Sequence, residues 1–77
     1  MPRAFVLINV ESGSEEKVLE KLGKLAGIEE AYYSYGVYDI IAKVRADSME
    51  GLKDLVSRNI RGVSNVNSTL TLIIMEP

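Results

Sequence analysis

Residues 3–10, Arg-Ala-Phe-Val-Leu-Ile-Asn-Val, carry apolar side chains at both parities. A run so short and so rich in β-branched residues predicts a strand buried on two sides. The period then changes: Val18, Leu19, Leu22, Leu25 and Ala26 recur at spacings of three and four, with Glu16, Lys17, Glu20, Lys21 and Lys24 opposite, which predicts an amphipathic helix. Ser12-Gly13-Ser14-Glu15 offers a capping box at its start, Ser12 accepting from a first-turn amide and Glu15 reaching back, and Gly27 marks its stop. Residues 28–35 begin polar and end in tyrosines, Gly36 reads as a turn, and residues 38–46 are strongly β-branched, so two strands form a hairpin. Asp47-Ser48-Met49-Glu50 repeats the capping-box spacing ahead of Met49, Leu52, Leu55, Val56 and Ile60, a second helix that stops before Gly62. Residues 63–75 close the pattern as a fourth strand.

The order strand, helix, strand, strand, helix, strand is that of the ferredoxin-like split βαβ arrangement. It predicts an α+β domain in which a four-stranded antiparallel sheet carries both helices on one face. The other face is left bare. There strand one presents Phe5 and Leu7, or else Ala4, Val6 and Ile8; strand three presents Ile41 beside Asp39 and Lys43; strand four presents Thr69, Thr71 and Ile73. At about 25 cal/mol per Å² of apolar area, burying a few hundred Å² per subunit equals several kcal/mol, comparable to the whole stability of a small domain. Pairing of two copies through the sheet is therefore expected, with Phe5, Leu7, Ile41, Thr71 and Ile73 in the dimer interface.

Composition sharpens this expectation. Seventy-seven residues make one domain, 1–77, and 47% hydrophobic content with 26% charge is ordinary for a soluble globular chain. A core this small usually needs support, and the chain has neither cysteine for disulfides nor histidine for a structural zinc site. Oligomerisation is the remaining route. A net charge of −2 with nine scattered basic residues speaks against a nucleic-acid surface, which requires clustered Lys and Arg. No apolar run reaches the roughly 18 residues of a membrane span, and Met1-Pro2-Arg3-Ala4 does not open a signal peptide. A cytoplasmic location follows as the expectation.

Candidate chemistry gathers around the hairpin. Asp39 is the one acid in an otherwise apolar strand, so it either accepts hydrogen bonds from the ammonium group of a ligand at a subunit boundary or caps the hairpin by bonding amides after Gly36. Four tyrosines, Tyr32, Tyr33, Tyr35 and Tyr38, lie close together. Cross-strand packing or interface contact suits Tyr32 and Tyr33, and Tyr35 and Tyr38 are the pocket candidates. Gly36 supplies a positive φ for the turn or lets a ligand approach the backbone. Ser12-Gly13-Ser14 ahead of a helix invites an anion, but Glu11, Glu15 and Glu16 around it repel phosphate. Catalysis is not expected: histidine and cysteine are absent, no Gly-rich phosphate loop or metal cluster is visible, and no cofactor is called for.

Taken together, these residues give a likeness. The chain resembles, over nearly its whole length, the C-terminal regulatory module of the leucine-responsive/asparagine-responsive (Lrp/AsnC) transcription regulators. The likeness lies in the capped helix after strand one, Gly36-Val37-Tyr38-Asp39-Ile40-Ile41 at the place of the family's glycine, aromatic, aspartate and aliphatic motif, Leu52 and Leu55, and Gly62-Val63 followed by Ser68-Thr69. The resemblance implies sheet-paired dimers that gather into an octamer or decamer, with an amino-acid effector between dimers. It adds Ser68 and Thr69 to Tyr35, Gly36, Tyr38 and Asp39 as ligand-binding residues. Where the family commonly has threonine, this chain has Ser68, which keeps the hydroxyl and loses a methyl contact. A chain that starts at strand one leaves no recognition helix for a major groove, so direct DNA binding is not expected. Full-length regulators of the family are candidate partners, either for a ligand-sensing module or for a purely structural assembly subunit that needs no ligand.

Overall fold

A computed structural model describes residues 1–75; of the expected domain 1–77, Glu76 and Pro77 lie outside the described residues. The elements are β1 (Arg3–Val10), α1 (Glu15–Leu22), β2 (Ile28–Tyr33), β3 (Ile40–Arg45), α2 (Met49–Asp54), which widens into a π-helical segment (Leu55–Ile60), and β4 (Val66–Ile74). The strands lie in the order β2-β3-β1-β4, and every neighbouring pair is antiparallel. The architecture is thus the expected ferredoxin-like βαββαβ fold.

One face of the sheet is fully occupied. Ala4, Val6, Ile8 and Val10 of β1 and Ile40, Ala42 and Val44 of β3 meet Val18 and Leu22 of α1 and Leu52, Leu55 and Ile60 from the second helical stretch. None of these is more than 7% exposed. Truncating a wholly enclosed member such as Leu22 to alanine costs about 2–5 kcal/mol, a large part of the roughly 4–11 kcal/mol that a chain of this length holds in total.

Register decides which residues reach the bare face, because directly opposed residues in a ladder point the same way. Tyr32 opposes Ile41, Ile41 opposes Leu7, and Leu7 opposes Leu70, giving an apolar row across all four strands. A second row runs Glu30, Lys43, Phe5, Leu72. Phe5, Leu70 and Leu72 are 38%, 44% and 49% exposed. The expectation for β4 is corrected here: Thr69, Thr71 and Ile73 oppose the buried Ile8, Val6 and Ala4 and therefore face the helices, while Ser68, Leu70 and Leu72 face outward. The nine residues of β4 are all apolar, hydroxyl or amide, so no polar alternation betrays its inner side, and a bulge at Asn9/Val10 shifts the register besides.

Several boundaries also differ from the expected ones. Ser12 does not cap α1; the capping position is Ser14, whose side chain makes no capping bond, and whose amide instead turns back to the Glu11 carbonyl at 2.9 Å. The helix ends at Leu22, and Lys24 and Leu25 donate to carbonyls three residues back, so the chain tightens before Gly27 takes φ +96° into β2. At the second helix the cap moves one residue on from Asp47. Ser48 is extended, and its Oγ accepts from the Gly51 amide at 3.0 Å. Wider winding past Asp54, marked by the Arg61 amide bonding the Val56 carbonyl five residues back, places both Leu55 and Ile60 in the core. β4 starts at Val66 rather than at residue 63, because residues 61–65 form turns and Asn65 holds φ +74°.

Candidate functional site

The head of the sheet, where β1 ends and β3 begins, concentrates the polar chemistry. The hairpin expected around a tight Gly36 turn is a longer connection, residues 34–39, closed at its base by the Ser34 amide donating to the Asp39 carbonyl at 2.8 Å. Gly36 supplies φ +117°, and a Cβ added there would meet no atom within 4 Å. The glycine answers a backbone need and no crowding. Tyr35 is fully exposed at the tip.

Asp39 closes the connection onto the central strand. Its amide donates to the Ile8 carbonyl at 3.0 Å, and its Oδ2 accepts from the Val10 amide at 2.9 Å. The reading in which it caps amides after Gly36 is therefore corrected: the carboxylate reaches across to β1 and occupies the place where a continued β3 would present a main-chain carbonyl. On the other flank of β1, the Glu11 amide donates to the Asn65 carbonyl at 2.8 Å.

A cleft of about 410 Å³ opens beside this junction, lined by Glu15, Tyr33, Ser34, Tyr35 and Asp39. It is large enough for an amino-acid-sized molecule. Two carboxylates, two phenols and a hydroxyl line it with no basic group among them, so its field favours the cationic end of a ligand. Of the six expected ligand residues, Tyr35 and Asp39 line this cleft. Gly36 shapes the connection, and Tyr38 is half-buried outside the lining.

Ser68 and Thr69 stand at the same end of the sheet on β4, with β1 between them and Asp39. Ser68 opposes Asn9, whose Nδ2 approaches its Oγ at 3.4 Å, and Thr69 opposes Ile8 on the other face. With neighbouring strands about 4.8 Å apart, two strand spacings, about 10 Å, separate them from Asp39. They do not line the Asp39 cleft of their own protomer. The sequence reading missed Glu15, Tyr33 and Ser34. Tyr33 opposes Ile40, so its ring stands on the helix side of β2 toward the start of α1; its alternation with Tyr32 was the available signal. Glu15 was assigned to capping, a task it does not perform.

Tyr32 points the other way, onto the bare face, where its Oη donates to Glu30 Oε1 at 2.9 Å. That hydrogen bond first, and the carboxylate's charge second, hold the phenol above its ordinary pKa. Among the described residues no group of three His, Cys, Asp or Glu side chains is placed to hold a metal ion. No helix among them is long and apolar enough to cross a membrane.

Fold and cleft define a small ferredoxin-like α+β domain with a ligand-sized, acidic recess at the head of its sheet. The chain belongs to the Lrp/AsnC ligand binding domain family, whose pattern matches residues 3–77. It is 33% identical over 73 residues to the HTH-type transcriptional regulator FL11 of Pyrococcus furiosus, an alignment covering 95% of this chain and 48% of that protein. To the regulatory protein AsnC of Escherichia coli K12 it is likewise 33% identical over 73 residues, covering 94% of this chain and 48% of AsnC. The chain thus spans about half the length of these relatives, one named a transcriptional regulator and the other a regulatory protein. Among solved structures, TTHA0845 from Thermus thermophilus matches with a TM-score of 0.94 at 32% identity over 100% of this chain and 96% of that one. The structure of E. coli AsnC matches at 0.92 and 31% identity, over 99% of this chain and 52% of that one.

Proposed function

We propose that residues 1–77 form a single regulatory module that binds a small molecule, an amino acid by preference, and acts by binding and assembly without catalysis. The cleft at Asp39 carries this reading: a carboxylate-lined recess of amino-acid size in a ligand-binding-domain fold. Its acidic lining suits an α-ammonium group, and to an α-carboxylate it offers only the neutral hydroxyls of Tyr33, Ser34 and Tyr35. The complementary half of the site comes from a neighbouring copy, where the hydroxyl of Ser68 on the outward face of β4, or that of Thr69 on its helix side, is the natural donor. Such a site exists only in the assembly, and its ligand shifts the assembly equilibrium by its differential affinity for the two states.

The assembly itself begins with a second copy on the bare sheet face. Phe5, Leu7, Ile41, Leu70 and Leu72 form a continuous apolar surface there, and covering it supplies stability that a core of twelve small and medium side chains lacks. Dimers then gather into an octamer or decamer in the cytoplasm and modulate transcription regulators or amino-acid metabolism, with full-length Lrp/AsnC regulators as partners and no direct contact with nucleic acid or membrane.

Native mass spectrometry of the chain with each of the twenty amino acids tests the reading. The expected result is an oligomer whose distribution shifts with one or a few of them. No binding and no shift across the whole panel removes the effector role and leaves the second reading, favoured by the apolar face alone, of a ligand-free assembly subunit.

A further inference from the structure

We propose that Asp39 is a positioning residue whose carboxylate fastens the two walls of the cleft to each other, a task separate from any contact with ligand. One wall is the end of β2 with residues 34–39, contributing Tyr33, Ser34, Tyr35 and Asp39 itself; the other is the start of α1, contributing Glu15. Among the described residues no hydrogen bond runs directly from one wall to the other. The link is indirect: beyond the main-chain bond from the Asp39 amide to the Ile8 carbonyl at 3.0 Å, it passes through one side chain. Asp39 Oδ2 takes the Val10 amide at 2.9 Å, Val10 continues into Glu11, and the Glu11 carbonyl takes the Ser14 amide at 2.9 Å at the foot of α1.

The geometry shows why a side chain has to do this. Main-chain pairing between β1 and β3 stops at Ile8 and Ile40, because residues 34–39 leave the sheet to form the connection. The Val10 amide faces β3 at a point where that strand has already departed, and with Val10 only 7% exposed an unpaired amide there is costly. A carboxylate one bond longer than a main-chain carbonyl spans the gap. On the opposite flank the Glu11–Asn65 bond at 2.8 Å anchors the same stretch to the turn before β4, so the end of β1 is held from both sides by groups outside the regular ladders.

Val10 takes one carboxylate oxygen, which leaves the second as a further acceptor on a residue that lines the cleft. The significance for a ligand rests on the effector-binding reading: a molecule held by that second oxygen finds Glu15 and Tyr35 at a spacing that Asp39 has already set. Asparagine at this position keeps an acceptor for Val10 and loses the charge; alanine loses both.

Amide hydrogen exchange followed by NMR on the intact chain decides the matter without any ligand. In the wild-type protein the Val10 amide should exchange at a rate similar to that of the Ile8 amide, despite having no main-chain acceptor. Asp39→Ala should accelerate Val10, Ser14 and Ser34 by about tenfold, the loss of one buried charge-assisted bond, and Asp39→Asn should restore most of that protection. Exchange of wild-type Val10 at the rate of an unprotected amide overturns the proposal, and this result is available even if Asp39→Ala does not fold. Unchanged exchange in a folded Asp39→Ala protein overturns it as well. Calorimetric titration of the wild type and Asp39→Asn with the twenty amino acids separates the two roles: protection kept and binding lost supports positioning alongside contact. Protection of Val10 in a chain that binds none of the twenty supports the clasp while removing the effector reading.

Discussion

Individual residues in this chain are often decided by what lies across the sheet from them. Tyr32 and Tyr33 are adjacent in sequence and serve opposite faces, one bonded to Glu30 on the bare side and one lining the cleft. The raised phenol of Tyr32 has a pH consequence of definite sign. Because its folded value lies above its unfolded one, its contribution to stability is fully present below the unfolded value of about 10 and is lost as pH rises through the folded value. An NMR titration of the Tyr32 ring should show its phenol ionising above the ordinary tyrosine value, and Glu30→Ala should lower it. Glycines separate in the same way. At Gly27, φ is +96° and a new Cβ would lie 2.8 Å from a Leu55 methyl and 2.9 Å from the Arg45 carbonyl, so Gly27→Ala should cost about 2–4 kcal/mol in urea unfolding. Gly36→Ala meets no neighbour and should cost about 1–2 kcal/mol, for its backbone angle alone.

At the level of elements, the type and order of every strand and helix were legible in the sequence, and their ends were less so. Periodicity fixed α1, whereas β1 followed from a short β-branched run apolar on both sides and the β2–β3 pair from its tyrosines, β-branched residues and the glycine between them. Caps were ambiguous because serines crowd both helix starts: Ser12 and Ser14 before α1, and Asp47 beside Ser48 before α2. The structure engages one of these side chains, and substitution should reveal it. Ser48→Ala is expected to lower stability by about 1 kcal/mol, whereas Ser14→Ala should change it by no more than a few tenths. Thermal denaturation of the two variants makes the comparison. The π-helical winding was invisible for a different reason. Leu52, Leu55, Val56 and Ile60 fit an α-helical stripe well enough on paper, whereas in the structure Leu55 and Ile60, five residues apart, both reach the core across the wider winding.

Seen as a whole molecule, the domain presents a covered face, a bare face and, at the head of the sheet, an acidic recess. The bare face was foreseen from β1 and β3 but given the wrong residues on β4, since a strand without charged residues reveals its sides only through its pairing partners. The recess was half foreseen. Asp39 and Tyr35 follow from the motif and the turn, whereas Glu15 and Tyr33 arrive from elements that meet only once the chain has folded. Leu70→Lys places a charge in the middle of the apolar row beside Leu7 and Ile41, and sedimentation should report a monomer with an unaltered circular dichroism spectrum. Lys17→Glu, on the exposed side of α1, should leave the assembly intact. An unchanged mass for Leu70→Lys would rule out the sheet face as the contact.

Finally, the connection between β2 and β3 has a firm root and an open tip. Asp39 and Ser34 fasten its base, yet Gly36 has empty space around it, and Tyr35 and Val37 stand in solvent. Residues at such a tip can be exchanged or added with little effect on the frame beneath. On the effector-binding reading proposed above, exchanging the residues of this tip alters one wall of the recess and leaves the sheet and helices beneath it as they are.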